Sequence, residues 1–389
     1  MGTPLESGRA LQQAREQMDA LFRLVRPGSL YKRPIGERHR IVFYLGHVDA
    51  FDWNLMARHA LDVPSFHDGF DRLFAFGIDP PPGELPGDQP TDWPGLAEVE
   101  HYQQRTRATI DQLLGDVPEQ LLHAAIEHRL MHAETFAYML HQLEYGNKLA
   151  PHQGRPGNRS ANRGVCRAEL LPIPAGPADL GLAAGDAFGW DNEFQAHAME
   201  VPAFSVAQYK VTNGEYLEFV NEGAEPPFFW ARRDAGWVFR GMFSEYPLPL
   251  DTPVYATHEQ ATAYANWRGM RLPSEGEYHR AAYHGPRSSN LNFRYWDPIP
   301  VTADDDGTPR PMQLAGNGWE WTSTVFAPFP GFTPFPFYRN YSEPFFDGAH
   351  YVLKGASPRT AACFLRPSFR NWFRPSYPYV YATFRMVTS

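Results

Sequence analysis

The sequence has very little cysteine and no long apolar run. Only Cys166 and Cys363 are present among 389 residues. Such sparse thiols exclude a disulfide scaffold and a thiolate metal site, and we expect both to be inert core residues. No apolar run approaches the ~18 residues of a membrane-spanning helix, and residues 1–30 carry charges throughout instead of the apolar centre of a signal peptide. We therefore expect a cytoplasmic protein.

Long runs of charge of one sign are also missing. The chain has 35 basic and 44 acidic residues, which gives a net charge of −9. Because these charges are interspersed, the composition predicts neither a nucleic-acid partner nor a membrane partner. The length suits about two domains of roughly 100 to 200 residues each.

The first 150 residues show helical periodicity. Apolar residues recur at helical spacing in four stretches, residues 8–26, 40–61, 98–114 and 117–145. The Pro- and Gly-rich residues 76–93 form a connection, in which Thr91 or Asp92 is a candidate cap for the next helix. We expect an antiparallel helical bundle over residues 1–150.

The phrase HRLMHAETF contains the strongest chemical signal of this bundle. His128 and His132 stand four residues apart on one predicted helix, so both imidazoles can reach a single metal ion. The zinc-protease motif is excluded because Arg129 occupies the place of its general base. His47, in the middle of an apolar helix, is the candidate third ligand. The alternative is that His47 is a hydrogen-bonded core residue and that the pair lies on a solvated helix face.

A polar segment separates the bundle from a different kind of chain. Residues 151–165 have the Gly, Pro, Arg and Asn content of a linker. Beyond it, residues 166–389 combine short β-like runs, among them 198–212 and 350–357, with two predicted helices, 213–220 and 258–268. This composition predicts an α+β domain.

Several phrases of the second domain resemble a known family. VTNGEYLEFV, RLPSEGEYHRAAY, GNGWEWT, VLKGAS and the closing FRMV are similar, in this order, to the formylglycine-generating-enzyme type of C-type-lectin-like domain. The resemblance runs from about residue 185 to the end and implies that fold. Those enzymes use paired cysteines near the end of the domain, whereas this chain has Cys363 alone there, so the resemblance does not extend to their reaction.

The combination of both halves resembles a more specific family. A DinB-like four-helix bundle that carries His47, His128 and His132, followed by a formylglycine-generating-enzyme-like domain, is similar to the ergothioneine-type sulfoxide synthases and their selenoneine synthase relatives. The resemblance implies a multidomain α and α+β fold in which the three histidines bind Fe(II). It also implies an O₂-dependent reaction of hercynine, the trimethylated form of histidine, with a thiol or selenol donor to give a sulfoxide or selenoxide.

The same resemblance implies roles for residues near the end of the chain. In FRNWFRPSYPY, Asn371 and Trp372 match the residues that contact hercynine. In FYRNYSEPFF, Tyr338 matches a tyrosine that assists the oxygen chemistry, and Tyr341 matches a neighbour that lines the substrate pocket.

Three positions depart from the pattern of members that use γ-glutamylcysteine. Those members have an acidic residue directly after the Asn-Trp pair and an arginine four residues later, where this chain has Phe373 and Tyr377. They often have glutamine before the second helical histidine, where this chain has Met131. The departures favour a selenosugar or cysteine as the donor, since aromatic side chains suit stacking on a sugar ring better than pairing with a carboxylate.

Two other functions are compatible with the sequence. A three-histidine bundle also serves metal-dependent thiol S-transferases, and lectin-like domains can bind ligands without catalysis. Glu134 either supports a ligand imidazole or lies on the helix surface. We expect structural roles for Trp319, Trp321 and Asn317 in the core, and buried hydrogen bonds from Arg370 and Arg385.

Overall fold

A computed structural model describes residues 4–78, 84–151, 168–185, 187–282, 289–303 and 305–389. The chain divides into two units, Met1–His152 and Gln153–Ser389. Most of the predicted linker, residues 151–165, lies outside the described residues, as does Cys166. No helix in the described ranges is long and apolar enough to cross a membrane.

The described part of the first unit contains five α-helices. They are α1 (Pro4–Phe22), α2 (Ile41–Asp52), α3 (Asp68–Phe76), α4 (Leu96–Leu113) and α5 (Glu119–Gln142). Four of them correspond to predicted helices, and α2 continues as a π-helical segment, Trp53–His59. The prediction missed α3, which has only nine residues. Its cap is also unusual for a sequence pattern, because His67 Nδ1 accepts a hydrogen bond from the Phe70 N–H at 3.0 Å.

The predicted cap of α4 was wrong. The helix begins after Gly95, whose N–H donates to Glu98 Oε2 at 2.9 Å. Asp92 instead accepts a hydrogen bond from the Gln89 N–H at 2.6 Å. The Asp92 carboxylate therefore caps the short 3₁₀ turn Pro90–Asp92 that precedes α4, and it does not cap α4 itself.

The centre of the first unit is α2, which is buried along almost its whole length. It packs on α3, α4 and α5, while α1 also packs on α5. Gly46 permits the approach of α3, because a Cβ at this position would lie 2.4 Å from Phe74 Cδ1. The absence of a side chain at Gly46 thus brings the backbone of Phe74 against α2.

The second unit is built from short strands and three helices in its described part. In chain order the elements are β1 (Leu170–Ile173), β2 (Gly176–Leu180), β3 (His197–Val201), β4 (Phe204–Ala207), α6 (Asn213–Asn221), β5 (Trp230–Arg233), β6 (Gly236–Arg240), β7 (Glu245–Pro247), α7 (His258–Trp267), α8 (Glu275–Ala281), β8 (Gly318–Val325), β9 (Tyr351–Ala356), β10 (Asn371–Phe373), β11 (Ala382–Thr383) and β12 (Val387–Thr388). The prediction missed α8, which has seven residues and is recognisable mainly by its cap, Ser274.

The strands form four small sheets with the orders β1-β4-β12, β10-β9-β8-β11, β2-β3 and β5-β6-β7. All pairs are antiparallel except β11 with β8. The side chains of Trp319 and Trp321 on β8 are fully buried, and the Asn317 amide donates to Ile299 O at 2.8 Å. The predicted core role of these three residues is therefore confirmed.

Buried ion pairs cross this core. Arg370 Nε lies 3.0 Å from Glu275 Oε1, and Arg385 Nη2 lies 3.1 Å from Glu320 Oε1. These contacts confirm the predicted buried hydrogen bonds of both arginines. The predicted burial of Cys363 was wrong: this residue is exposed. It lies in the short 3₁₀ turn Ala362–Phe364, where the Phe364 side chain is the buried one.

Candidate functional site

The three predicted metal ligands lie together in the first unit. Helix α2 supplies His47, and α5 supplies His128 and His132. One ligand atom of each lies within 4.8 Å of the others, and His47 Nε2 is 3.2 Å from His132 Nε2. The i, i+4 spacing on α5 brings its two rings to a centroid distance of 4.5 Å. The apolar sequence of α2 buries His47 beside them.

The hydrogen bond of His47 determines which of its nitrogens is available. His47 Nδ1 lies 2.6 Å from the carbonyl oxygen of Phe74, so Nδ1 carries the proton and donates it. Nε2 then holds the lone pair and points to the other two rings. Burial lowers the pKa of His47 to about 4 and lowers the pKa of His128 and of His132 well below the usual value. All three imidazoles are therefore neutral near pH 7, as metal binding requires.

This donor set fits a divalent first-row metal ion. A metal–nitrogen distance of about 2.1 Å places two ligand nitrogens about 3.0 Å apart at an octahedral angle and about 3.4 Å apart at a tetrahedral one. The separation of 3.2 Å between His47 and His132 suits either geometry. Neutral imidazoles bind zinc, copper, iron and nickel, so the ligands alone do not select iron.

Buried charges support the two ligand helices. Arg129, which follows His128, is fully buried. Its Nη2 lies 2.7 Å from Asp49 Oδ1 and 2.5 Å from Asp52 Oδ2, both on α2. Arg107 on α4 adds a contact of 2.9 Å to Asp49. Burial alone would raise the pKa of Asp49, but the two guanidinium groups hold it well below its usual range. The residue in the place of the zinc-protease base is therefore part of a structural network that joins α2, α4 and α5.

A second group of predicted residues lies together in the second unit. Tyr341 is in edge-to-face contact with Trp372 at a centroid distance of 5.4 Å and lies 5.6 Å from Tyr338. Trp372 also stacks on Phe326 at 4.2 Å with nearly parallel rings. Burial, followed by the charge of Asp191, raises the pKa of Tyr338 to about 12. The Tyr338 hydroxyl therefore stays protonated at neutral pH.

The remaining predicted residues have local partners. Asn371 Oδ1 accepts a hydrogen bond from the backbone N–H of Trp372 at 2.9 Å. Phe373 and Tyr377 stack on each other with a centroid distance of 5.2 Å and an interplanar angle of 13°. Both rings are half-buried, as is Met131, which directly precedes His132 on α5. Glu134 is also half-buried, and its role stays a prediction.

Two residues in contact with this tyrosine-bearing segment were missed by sequence reasoning. Trp190 stacks on Tyr341 at 4.1 Å and meets the edge of Tyr338 at 6.2 Å. Asp191 accepts a hydrogen bond from the Ser342 hydroxyl. Trp190 precedes the short 3₁₀ turn Asp191–Glu193, and Asp191 begins it, some 150 residues before the tyrosines. A turn of three residues shows no periodicity that would mark it in the sequence. The only available signal was the dense polar phrase GWDNE itself.

Comparisons with known proteins match both units. Residues 10–144 match the DinB superfamily, and residues 158–307 match the sulfatase-modifying factor enzyme 1-like domain. These two matches confirm the predicted fold class.

Three relatives connect these units to one family. A hercynine oxygenase of Mycolicibacterium thermoresistibile is 33% identical over 327 residues, covering 72% of this chain and 71% of the relative. The hercynine oxygenase of Mycolicibacterium smegmatis is 33% identical over 325 residues, covering 72% and 74%. Ergothioneine biosynthesis protein 1 of Neurospora crassa is 26% identical over 486 residues, covering 92% of this chain and 55% of the relative. The chain therefore belongs to the ergothioneine-type sulfoxide synthase family of oxidoreductases.

Proposed function

We propose that this protein joins the imidazole ring of hercynine oxidatively to a thiol or selenol donor in an iron(II)- and O₂-dependent reaction. The imidazole C–H and the S–H or Se–H bond break, a carbon–chalcogen bond forms, and O₂ provides the chalcogen oxygen and one water. The products are then a sulfoxide or selenoxide and water. The observation that carries this proposal is the convergence of three neutral imidazoles in a chain of this family.

Iron would be held by His47, His128 and His132. Three neutral ligands add no negative charge and leave coordination positions open, through which bound Fe(II) would supply both the redox chemistry and a common template for the reactants. The burial that lowers the pKa of each imidazole keeps the lone pairs available for the ion. The Phe74 carbonyl orients His47 for this purpose.

We assign hercynine binding to Asn371, Trp372 and Tyr341. A trimethylammonium group is attracted to the face of an electron-rich ring, and the half-buried Trp372 indole provides such a face beside Tyr341. Asn371 Oδ1 accepts the backbone N–H of Trp372, so we assign its amide N–H groups to an acceptor such as the hercynine carboxylate.

We assign proton donation to the Tyr338 hydroxyl. A phenol with a pKa of about 12 is fully protonated at neutral pH and donates from Oη when a developing anion accepts its proton. Tyr341 fixes the adjacent position, since its N–H donates to the Tyr338 carbonyl at 3.2 Å.

The stacked pair Phe373 and Tyr377 is our candidate for selecting the donor. Neither side chain offers a charge to the amino and carboxyl groups of γ-glutamylcysteine. Their nearly parallel rings, 5.2 Å apart, present apolar surface that suits the C–H face of a sugar. A selenosugar is therefore the favoured donor, followed by cysteine.

The test loads the full chain anaerobically with Fe(II) and then measures O₂ consumption with hercynine and each donor: a selenosugar, cysteine or γ-glutamylcysteine. Product mass identifies the bond that forms. We expect hercynine-dependent O₂ consumption that His132→Ala abolishes and that His123→Ala, a substitution on the same helix outside the triad, preserves. Metal-dependent thiol transfer without O₂ consumption would instead support the transferase alternative. Failure of every donor to elicit hercynine-dependent O₂ consumption would refute the proposal.

A further inference from the structure

The turn that carries Tyr338 and Tyr341 is held from one side by two consecutive residues, Trp190 and Asp191. The Trp190 ring stacks on Tyr341 at 4.1 Å and an angle of 26°, and it meets Tyr338 edge-to-face at 6.2 Å. At the end of the same turn, the Ser342 hydroxyl donates to Asp191 Oδ1. The positions of both tyrosines therefore depend on this segment.

The Trp190–Asp191 segment is itself fixed by buried charges. The backbone N–H of Trp190 donates to Glu193 Oε1 at 2.8 Å. The Glu193 carboxylate is in turn bound by Arg366 at 2.6 and 2.7 Å and by the Ser368 hydroxyl at 2.7 Å. A bidentate guanidinium–carboxylate pair is geometrically specific, so the segment forms a rigid seat for the tyrosine turn.

Asp191 also contributes a charge at this seat. It is almost completely buried, and burial raises its pKa, while the Ser342 hydroxyl and the backbone N–H groups of Asn192 and Phe335 favour its charged form. The negative charge of Glu343 also raises the pKa of Asp191. A negative charge beside a buried phenol opposes loss of the phenolic proton, and Asp191 has this effect on Tyr338.

We propose that Asp191 is a positioning residue for Tyr338, because it fixes the tyrosine turn through Ser342 and places a negative charge beside the phenol. The inference rests on the proposed function, in which Tyr338 donates a proton. In that reaction we assign Asp191 no contact with substrate or metal. It acts by keeping the Tyr338 hydroxyl in place and by opposing the ionisation of the phenol.

The test places 3,5-difluorotyrosine at position 338 of the full chain and follows its ionisation by ¹⁹F NMR, without metal or substrate. Asp191→Asn removes the charge and retains an oxygen that can accept from Ser342. We expect this substitution to lower the pKa of the fluorinated phenol by about one unit. Asp297→Asn, which replaces another buried carboxylate of the second unit, is the matched control and should leave that pKa unchanged.

A folded Asp191→Asn variant with an unchanged phenol pKa would overturn the inference. If that variant does not fold, Ser342→Ala decides instead: loss of the hydroxyl should shift or broaden the fluorine resonance, and an unchanged resonance would count against the seat.

The pH profile of turnover separates this inference from the proposed function. We expect Asp191→Asn, in iron-loaded enzyme that carries 3,5-difluorotyrosine at position 338, to move the alkaline limb of the kcat profile to lower pH by the same amount as the phenol pKa. A shifted phenol pKa with an unmoved kcat profile would support the positioning role of Asp191 but exclude Tyr338 as the proton donor. A complete lack of hercynine turnover would refute the proposed function and still leave the fluorine titration to decide the role of Asp191.

Discussion

At the scale of single residues, the position of His47 depends on a missing side chain. Gly46 leaves space for Phe74, whose carbonyl oxygen accepts the proton of His47 Nδ1 at 2.6 Å. We predict that Gly46→Ala pushes α3 away from α2, breaks this hydrogen bond and weakens metal binding by about 10- to 100-fold. Anaerobic calorimetric titration with Fe(II) measures the change.

Gly28→Ala is the matched control for this prediction. Gly28 lies in the same unit, and a Cβ at this position would meet no atom within 4 Å. This variant should bind Fe(II) as the parent does. Equal affinity of both variants and the parent would show that the Phe74 carbonyl does not orient His47.

Tyr338 provides a second test at this scale. Tyr338→Phe removes the hydroxyl and retains the ring that contacts Trp190 and Tyr341. We predict that kcat for hercynine coupling falls by about 10²- to 10⁴-fold, as expected for the loss of a general acid, while the KM for hercynine stays within about threefold. An unchanged kcat would exclude Tyr338 from the chemistry.

The donor preference is testable by restoring charges. We predict that the double substitution Phe373→Asp and Tyr377→Arg increases kcat/KM for γ-glutamylcysteine by at least about tenfold, because the new side chains can pair with the charged groups of the dipeptide. The same variant should lose activity with the parent's preferred donor. Comparison of kcat/KM for the donors in competition measures both changes, and an unaltered preference would place donor selection elsewhere.

At the scale of elements, α7 is joined to β8 through a buried histidine. His258 Nε2 donates to the Thr322 carbonyl at 3.1 Å, and its ring stacks on Tyr351 of β9 at 3.9 Å. Burial lowers the pKa of His258 to about 4 from its usual 6.5. The unfolded chain therefore binds a proton between these pH values that the folded chain excludes, so this contribution to stability is present above pH 6.5 and is lost as the pH falls toward 4.

We predict that the free energy of unfolding depends less on pH in His258→Gln. Between pH 7 and pH 5, its decrease should be about 2 kcal/mol smaller than in the parent. Urea unfolding at the two pH values measures the difference, and His101→Gln, at an exposed histidine of α4, is the control. The same decrease in all three proteins would mean that His258 takes up its proton over the same pH range in the folded and the unfolded chain.

Element length explains why the longest helices could be predicted. Helices α1, α4 and α5 have 18 to 24 residues, so several turns of periodicity mark them. Helices α3 and α8 have nine and seven residues, and their caps rather than their periodicity define them. The cap of α4 was misassigned because the helix begins four residues after Asp92, at Leu96. Glu98, in its first turn, accepts the hydrogen bond from the Gly95 N–H.

At the scale of the whole molecule, the three proposed metal ligands all lie in the first unit. A ligand that binds only the folded state stabilises it by about 2.7 kcal/mol at a concentration of 100 times Kd. We predict that Fe(II) slows amide hydrogen exchange most strongly in α2 and α5, which carry the three histidines. Mass spectrometry of peptides from Fe(II)-loaded protein and from His132→Ala measures this effect. Equal protection in both proteins would contradict the triad.

Sequence reasoning identified the parts of the site that have local patterns. The pair on α5 follows from helical spacing, whereas His47 became a candidate only through its place in an apolar helix and through family resemblance. Trp190 and Asp191 could not be found because their contact with Tyr341 and Ser342 forms only when the second unit folds. Spacing reveals neighbours on one element, but it carries no information on contacts between distant loops.

The strand pairing of the second unit has a consequence for how the chain folds. Strand β4 is completed by β12, and β8 is completed by β11, so two of its sheets need strands from the far C-terminal part of the sequence. Pairing of distant segments must close long loops first and is therefore slow. During synthesis, the helical unit can collapse while β4 and β8 still present unpaired edges. The second unit is thus the part of the nascent chain that is most exposed to aggregation and to chaperones.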